Sequence, residues 1–184
     1  FWPDLSELAN DRWAGHALGL KTECGVLLSI AAELSRMKPS QEVVLGWMAQ
    51  TKFPARGSRS ALGAMRAKRQ LLPQEVLILD IAAADRGEKS PALGKGPVLV
   101  QGKETTSKLK DRIEAITREK NIPVQSVTGT ESTLMTPFSG DSTEVLILAL
   151  PVKFPHTPVE VVDFKDVRAL KDLVLNLIGS GRVK

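Results

Sequence analysis

Three runs of continuously apolar residues stand out along the chain, at positions 43–49, 75–82 and 144–152. Each run has the length of a strand, and none alternates apolar with polar residues, which predicts strands buried on both faces of a parallel sheet. We expect the three strands to be neighbours at the centre of that sheet. The second run delivers Asp80 to its C-terminal end. The first run is followed by the loop 50–57, at the edge where open α/β sheets place their ligands.

Helical periodicity fills the spaces between these runs. Residues 22–37 are apolar nearly all round, which predicts a helix buried between the sheet and another layer. Residues 104–120 place Leu109, Ile113 and Ile116 on one helical face. Further helices are predicted at 58–72 and 164–178, and short strands at 97–100, 123–127 and 159–162. A chain of 184 residues suits a single core. We therefore predict one α/β domain over residues 1–184, a three-layer sandwich around a mixed, centrally parallel sheet.

The amino-acid composition argues against several classes of function. The formal net charge is +4, but lysine and arginine are spread along the chain apart from a cluster at 56–69, and only 4% of the residues are aromatic. This argues against a surface on which nucleic-acid bases stack, so we expect no nucleic-acid partner. Cys24 is the only cysteine, which suits a reducing compartment and a free thiol in the core. No apolar run reaches the roughly 20 residues that span a bilayer, and we expect a cytoplasmic protein without membrane contact.

Candidate chemistry is sparse. Asp80, at the end of a buried strand, suits a ligand, a base or a structural ion pair, and the ion pair is the commoner case. His156 lies between two prolines in KFPHTPVE, a rigid turn that suits a metal ligand, although a lone histidine in a turn is more often structural. The loop 50–57 contains no carboxylate, histidine or cysteine. Gly94 and Gly96 match no phosphate-binding motif, and no catalytic triad can be assembled from two histidines.

Several segments together resemble the dinuclear metallo-aminopeptidases that include the tetrahedral aminopeptidases, glutamyl aminopeptidase and the cellulase M-like proteins. The family's EEVGLRGA segment lies over TKFPARGS, its aspartate-ended strand over VLILD, its GKGP over residues 94–97 and its IPxQ strand over residues 122–125. Its GTD turn corresponds to residues 129–131. Its PVRYxHSPxE segment is similar to PVKFPHTPVE at 151–160, which is the most specific match. The resemblance implies a zinc-peptidase-like fold and a chain that corresponds to the C-terminal part of the catalytic domain.

In that family an Asp-Asp pair bridges two zinc or cobalt ions, and a Glu-Glu pair supplies the general base and a ligand. A strand-end aspartate and a late histidine complete the ligand set that this chain covers. The resemblance keeps Asp80 and His156 and places Glu131 in the GTD turn. At the Glu-Glu pair it places Thr51 and Lys52.

The resemblance places Lys21 and Thr22 at the Asp-Asp pair. Asn10 and Asp11 resemble that pair locally but lie too far from the helix. The resemblance implies that the family's early histidine and dimerisation insert would precede Phe1, and we expect this chain to lack them.

A dinuclear site needs anionic bridging ligands and a carboxylate base. Lysine ammonium groups at two ligand positions indicate a degenerate peptidase fold with no catalytic residues and no cofactor. We expect a binding or assembly subunit that forms a homo-oligomer or associates with a related subunit. One alternative is an active hydrolase that binds zinc or cobalt through Asp80, His156, Glu131 and residues outside this chain. Another is a binder of a peptide or small anionic ligand that uses Lys21, Lys52 and Arg56.

Overall fold

The computed structural model of the protein describes residues 5–39, 41–48, 62–87, 90–101, 107–128, 136–138 and 142–179. Helices and strands alternate through most of these residues, as the sequence predicts. In chain order the elements are β1 (Ser6–Leu8), β2 (Arg12–Gly15), α1 (Leu18–Leu34), α2 (Leu62–Leu71), β3 (Glu75–Ala83), β4 (Val98–Gln101), α3 (Lys108–Lys120), β5 (Gln125–Thr128), β6 (Glu144–Val152), β7 (Glu160–Asp163) and α4 (Phe164–Gly179), with a 3₁₀ turn at Thr136–Phe138.

The larger sheet is mixed and has the described strand order β3-β6-β4-β5. β3 and β6 are parallel neighbours over nine residue pairs, from Glu75 opposite Glu144 to Ala83 opposite Val152. β4 and β5 form a second parallel pair, but β4 runs antiparallel to β6. The prediction of a mixed α/β sheet is therefore confirmed. The central pair of the described strands is antiparallel, and the parallel pairs lie on either side of it.

Alternating side chains of β3 and β6 build two apolar layers. On one face, Leu77 and Leu79 join Leu146, Leu148 and Leu150 in the main core with residues of α1, α3 and α4. The side chains that alternate with these residues along β3 and β6 lie on the opposite face. At one end of the strands they pack against α2 and the 3₁₀ turn, and at the other end against side chains of β4 and β5. The period of two in these strands thus separates two helical layers around one sheet.

A second, smaller sheet brings the start of the chain to its last strand. β1 and β2 form an antiparallel hairpin, and β2 pairs antiparallel with β7. Trp13 packs on Phe164 with ring centroids 5.6 Å apart, which ties the hairpin to the first residue of α4. The irregular or edge-strand character predicted for residues 1–19 is resolved as this hairpin in the part of that segment that the structure describes.

The structure corrects three sequence predictions. Residues 42–48 form no strand, although a strand was predicted at 43–49, because only Val43 and Leu45 pack on the core while Val44 stays 54% exposed. Helix α1 begins four residues earlier than predicted and buries one face only. Cys24 lies on its exposed side, so this thiol is not a core residue.

No helix among the described residues is long and apolar enough to cross a membrane.

Candidate functional site

Asp80 lies within β3 opposite Ala149 of β6, and three more residues follow before the strand ends at Ala83. The sequence places this carboxylate at the C-terminal end of the strand, whereas the structure places it inside the strand. One of its oxygens, Oδ1, accepts a hydrogen bond from the backbone N–H of Ile81 at 2.9 Å. Asp80 is half-buried and lies on the same face of the sheet as Ile78.

His156 lies in the turn between β6 and β7, and its side chain is exposed. Both Phe154 and His156 adopt left-handed backbone conformations, with φ of 57° and 63°. The turn is held by its neighbours: Thr157 Oγ1 donates a hydrogen bond to a backbone carbonyl of the turn, and its N–H reaches the carbonyl of Phe154. The rigid turn predicted around this histidine is present.

Glu160, the last residue of the PVKFPHTPVE segment, binds this turn to helix α1. The carboxylate is buried, with 3% of the residue exposed. Its Oε1 accepts the backbone N–H of His156 at 2.7 Å, and its Oε2 accepts the backbone N–H of Gly19 at 2.9 Å. The latter N–H belongs to the first turn of α1, whose amides have no partner within the helix. Glu160 therefore caps the helix from a distant part of the chain.

The start of α1 approaches the sheet so closely that only glycine fits there. A Cβ added to Gly19 would lie 2.8 Å from Val152 Cγ2 and 2.9 Å from Ile81 Cγ2. The residue of α1 that meets the segment after Asp80 is thus Gly19. Lys21 is exposed and Thr22 half-buried, and both lie inside α1 rather than before it.

Three of the sequence-predicted site residues, Thr51, Lys52 and Glu131, lie outside the described residues, as does Arg56. Their roles stay predictions. Among the described site residues, Asp80 directly precedes Ile81, whose side chain lies next to Gly19. Glu160 accepts the amides of both His156 and Gly19, and so links the histidine turn to the same glycine.

The GKGP segment forms a second buried polar centre. Asp166 of α4 is fully buried and accepts two backbone N–H groups, from Gly94 at 2.8 Å and Gly96 at 2.6 Å. The side chain of Gln125 holds the same loop from the other side, through the backbone of Ala92 and the carbonyl of Gly96. These residues bind the protein's own backbone, so the glycines serve a structural loop and not a phosphate site.

Burial raises the pKa of Asp166 from 3.8 to about 6, and the two glycine amides only partly offset this effect. Asp163 raises the same pKa further, because its carboxylate is also buried and faces Gly94. Arg12 lies 3.5 Å from Asp163, and its positive charge lowers the pKa of Asp166 in part. The position of Asp166 in the scaffold therefore raises its pKa.

The sequence reasoning passed over Glu160, Gln125 and Asp166. Each had a signal in the chain: Glu160 closes the motif that contains His156, Gln125 closes the IPxQ match, and Asp166 follows the apolar strand β7 by three residues. Polar side chains on buried strands and helix starts are nearly always hydrogen-bonded, so each of these residues required a partner.

The described side chains do not fit a dinuclear metal centre. Among the residues that the structure places, no three His, Cys, Asp or Glu side chains come together as a metal site requires. The carboxylate bound to the His156 turn, Glu160, uses both oxygens on backbone amides. Within the part of the chain that the structure describes, Asp80 and His156 are the two donors that the resemblance retains, whereas Glu131 lies outside it. A catalytic zinc typically has three protein ligands.

The sheet and its helical layers define an α/β fold of the metallo-aminopeptidase type. A TET aminopeptidase from the marine sediment archaeon Thaumarchaeota archaeon SCGC AB-539-E09 superimposes with a TM-score of 0.80 at 20% identity, covering 97% of this chain and 52% of that one. The TET1 peptidase of Pyrococcus horikoshii gives a TM-score of 0.78 at 21% identity, covering 95% and 52%. These likenesses establish the fold.

The family follows from the sequence. The profile of the M42 glutamyl aminopeptidase family matches residues 1–173, so the chain belongs to the M42 peptidase family, a family of metallopeptidases. The lysyl aminopeptidase of Pyrococcus furiosus is 26% identical over 176 residues, covering 91% of this chain and 48% of that protein. The chain thus spans about half the length of the relatives it matches.

Proposed function

We propose that this chain is a metallo-aminopeptidase-like protein whose dinuclear metal site is lost and which acts as a non-catalytic binding or assembly subunit. One observation carries the proposal. Helix α1 meets the sheet beside the His156 turn at Gly19, where there is no room for a side chain. The buried carboxylate of Glu160 faces this glycine and accepts two backbone amides. Glu160, the buried carboxylate beside the His156 turn, is thus used to hold the fold.

The residues at the family's carboxylate pairs support the same proposal. Lys21, Thr22, Thr51 and Lys52 stand where the resemblance expects two bridging and two terminal or basic carboxylates. A protonated lysine cannot coordinate a cation and repels it. The proposal also takes residues 1–184 as a single domain that corresponds to the C-terminal part of the family's catalytic domain.

Self-association is the second part of the proposal. The Pyrococcus horikoshii TET1 peptidase assembles into a tetrahedron or a large octahedral shell. In this chain, large apolar side chains are exposed on β1 and beside α2: Leu8 is 42% and Leu72 78% exposed. Apolar side chains of this size are more stable when another surface covers them, so we propose that copies of this chain, or a related subunit, cover them.

An active aminopeptidase is the competing function, because the lysyl aminopeptidase of Pyrococcus furiosus is a relative and both Asp80 and His156 are retained. Zinc or cobalt would then bind with donors that lie outside the described residues. The experiment that separates the two functions measures hydrolysis of aminoacyl p-nitroanilides with and without added zinc or cobalt. The Pyrococcus furiosus enzyme serves as the positive control.

We expect no turnover above buffer and no tightly bound metal by elemental analysis. Binding of about two metal ions per chain together with turnover would refute the proposal. Light scattering at micromolar concentration tests the assembly separately, and a strictly monomeric mass would refute that part. Because activity and mass are measured independently, the failure of one does not obscure the other.

A further inference from the structure

The C-terminal ends of helices α1, α3 and α4 surround a groove of about 470 Å³. Two of its sides come from the ends of α3 and α4, and the third comes from Met37, which follows the end of α1 at Leu34. The lining residues are Met37, Ile116, Glu119, Lys120, Leu175, Asn176 and Gly179. None of these residues belongs to the candidate site.

The floor of the groove is apolar. Ile116 is 6% exposed and belongs to the main core, and Leu175 packs against that core. Met37 is 37% exposed, and its Cε lies 3.5 Å from the position that a Cβ at Gly179 would take. Covering such side chains with another apolar group removes apolar surface from water. The floor therefore suits an apolar side chain.

The end of α4 attracts positive charge. The last carbonyl groups of a helix carry partial negative charge, and α4 has no basic residue in its own last turn. A guanidinium from α3 already binds there, since Arg112 Nη2 donates a hydrogen bond to the Leu177 carbonyl at 3.1 Å. Glu119 adds a carboxylate to the rim, and its pairing with Lys120 at 2.9 Å leaves its side chain 69% exposed. The groove therefore suits a segment that combines cationic and apolar side chains.

Residues 180–184, SGRVK, follow directly from Gly179, which lines the groove, and lie outside the described residues. This segment contains one apolar side chain, Val183, and two cations, Arg182 and Lys184. Gly181 allows the chain to reverse its direction shortly after the helix ends. A segment of this length reaches about 17 Å when extended, which exceeds the roughly 10 Å width of a helix. It is therefore long enough to cross the groove.

We propose that residues 180–184 fold back and occupy this groove. Val183 then covers the apolar floor, and the Arg182 guanidinium pairs with the Glu119 carboxylate at the rim. Because the segment is attached at Gly179, its effective concentration at the groove is on the order of millimolar, so weak contacts are enough to hold it there. An occupied groove is closed to other molecules, and the self-association proposed above would then use other surfaces.

Cysteine cross-linking tests whether the segment occupies the groove. In a Cys24→Ser background, Val183→Cys is combined with Asn176→Cys, which lines the groove. The matched control combines Val183→Cys with Asp172→Cys, an exposed position one turn earlier in α4 that does not line the groove. A free segment would reach both positions, whereas a docked segment stays beside the first.

We expect the intramolecular disulfide to form about tenfold faster with Asn176→Cys than with the control, because docking raises the local concentration of the two thiols. Equal rates would overturn the proposal. Disulfide-linked dimers that form before the intramolecular product would also overturn it, because another copy would then provide the segment.

NMR relaxation of the unmodified chain provides a second measurement that needs no variant to fold. Backbone order parameters well above about 0.6 for residues 181–184 would support docking, because flexible segments have lower values. Values below that level throughout the segment would overturn the proposal.

Charge reversal tests the contact assigned to Arg182. Arg182→Glu should lower the rate of cross-linking to Asn176→Cys severalfold, and adding Glu119→Arg should restore it, because the swapped pair again has opposite charges. Lys165→Glu, at an exposed position at the other end of α4, is the matched control and should leave the rate unchanged. An unchanged rate in the Arg182→Glu protein would overturn the assigned contact.

Discussion

Replacing Glu160 with alanine should destabilise the protein strongly, because its carboxylate joins the His156 turn to helix α1. The substitution removes the acceptor for the amides of Gly19 and His156, at 2.9 and 2.7 Å. Gly19 is buried, so its N–H finds no water, which costs about 1–3 kcal/mol. The His156 amide lies in an exposed turn that water reaches, and its loss adds about 1 kcal/mol.

The expected loss in the free energy of unfolding is therefore about 3 kcal/mol. Glu160→Gln should cost roughly half as much, because the amide keeps one acceptor oxygen but turns a donor toward the other N–H. Urea unfolding followed by tryptophan fluorescence measures both variants. Trp13, packed on Phe164 beside β7, reports on this region.

Glu114→Ala is the matched control, because Glu114 forms a half-exposed pair with Lys110 one helical turn away. Such surface pairs contribute about 0.5 kcal/mol or less. Hydrogen exchange adds a local readout: Glu160→Ala should speed exchange at the Gly19 amide more than at the far end of α1. A Glu160→Ala protein within about 0.5 kcal/mol of the parent would refute the capping role.

Two further predictions concern the glycine loop. The pKa of Asp166 is raised to about 6 in the folded protein from 3.8, so the folded state holds the proton more tightly and stability should fall as the pH rises from about 4 through 6. Asp166→Asn should abolish that decline in urea titrations, and an unchanged slope would contradict it. Gly96→Ala should cost more than about 3 kcal/mol, since its Cβ would lie 1.9 Å from the carbonyl oxygen of Pro123 at a φ of +89°. A Cβ added to Gly25 would have nothing within 4 Å, so Gly25→Ala should be neutral or slightly stabilising in the same urea titrations.

The sequence predicts well those elements whose burial follows from their own residue pattern. β6 was predicted at 144–152 and lies there to the residue, because a continuous apolar run of that length is buried wherever it pairs. The apolar face of α3, with Leu109, Ile113 and Ile116, is likewise buried as predicted. A period of 3.6 residues is enough to define that face.

Features that depend on distant partners were beyond the sequence. The run at 43–49 has strand character, but residues 42–48 form no strand, because strand formation depends on a neighbouring strand that the run itself does not specify. The Glu160 carboxylate meets Gly19 across 141 residues, and Asp166 meets Gly96 across 70. Nothing local selects these partners, because a carboxylate accepts any amide that the fold presents.

These long-range bonds change what the family motifs signify. The GKGP match is held by Asp166, the glutamine of the IPxQ match holds the same loop, and the glutamate of PVKFPHTPVE caps α1. Each motif thus contributes hydrogen bonds that the fold itself needs.

The resemblance assigns metal chemistry to the positions of Lys21, Thr22, Thr51 and Lys52, and the proposed function takes these residues as departures from the family's carboxylates. The hydrogen bonds that these motifs supply to the fold can therefore preserve the motifs in a chain that binds no metal ions. A motif match in this family is accordingly an argument for the scaffold, and activity has to be argued from the carboxylates that would face the metal ions.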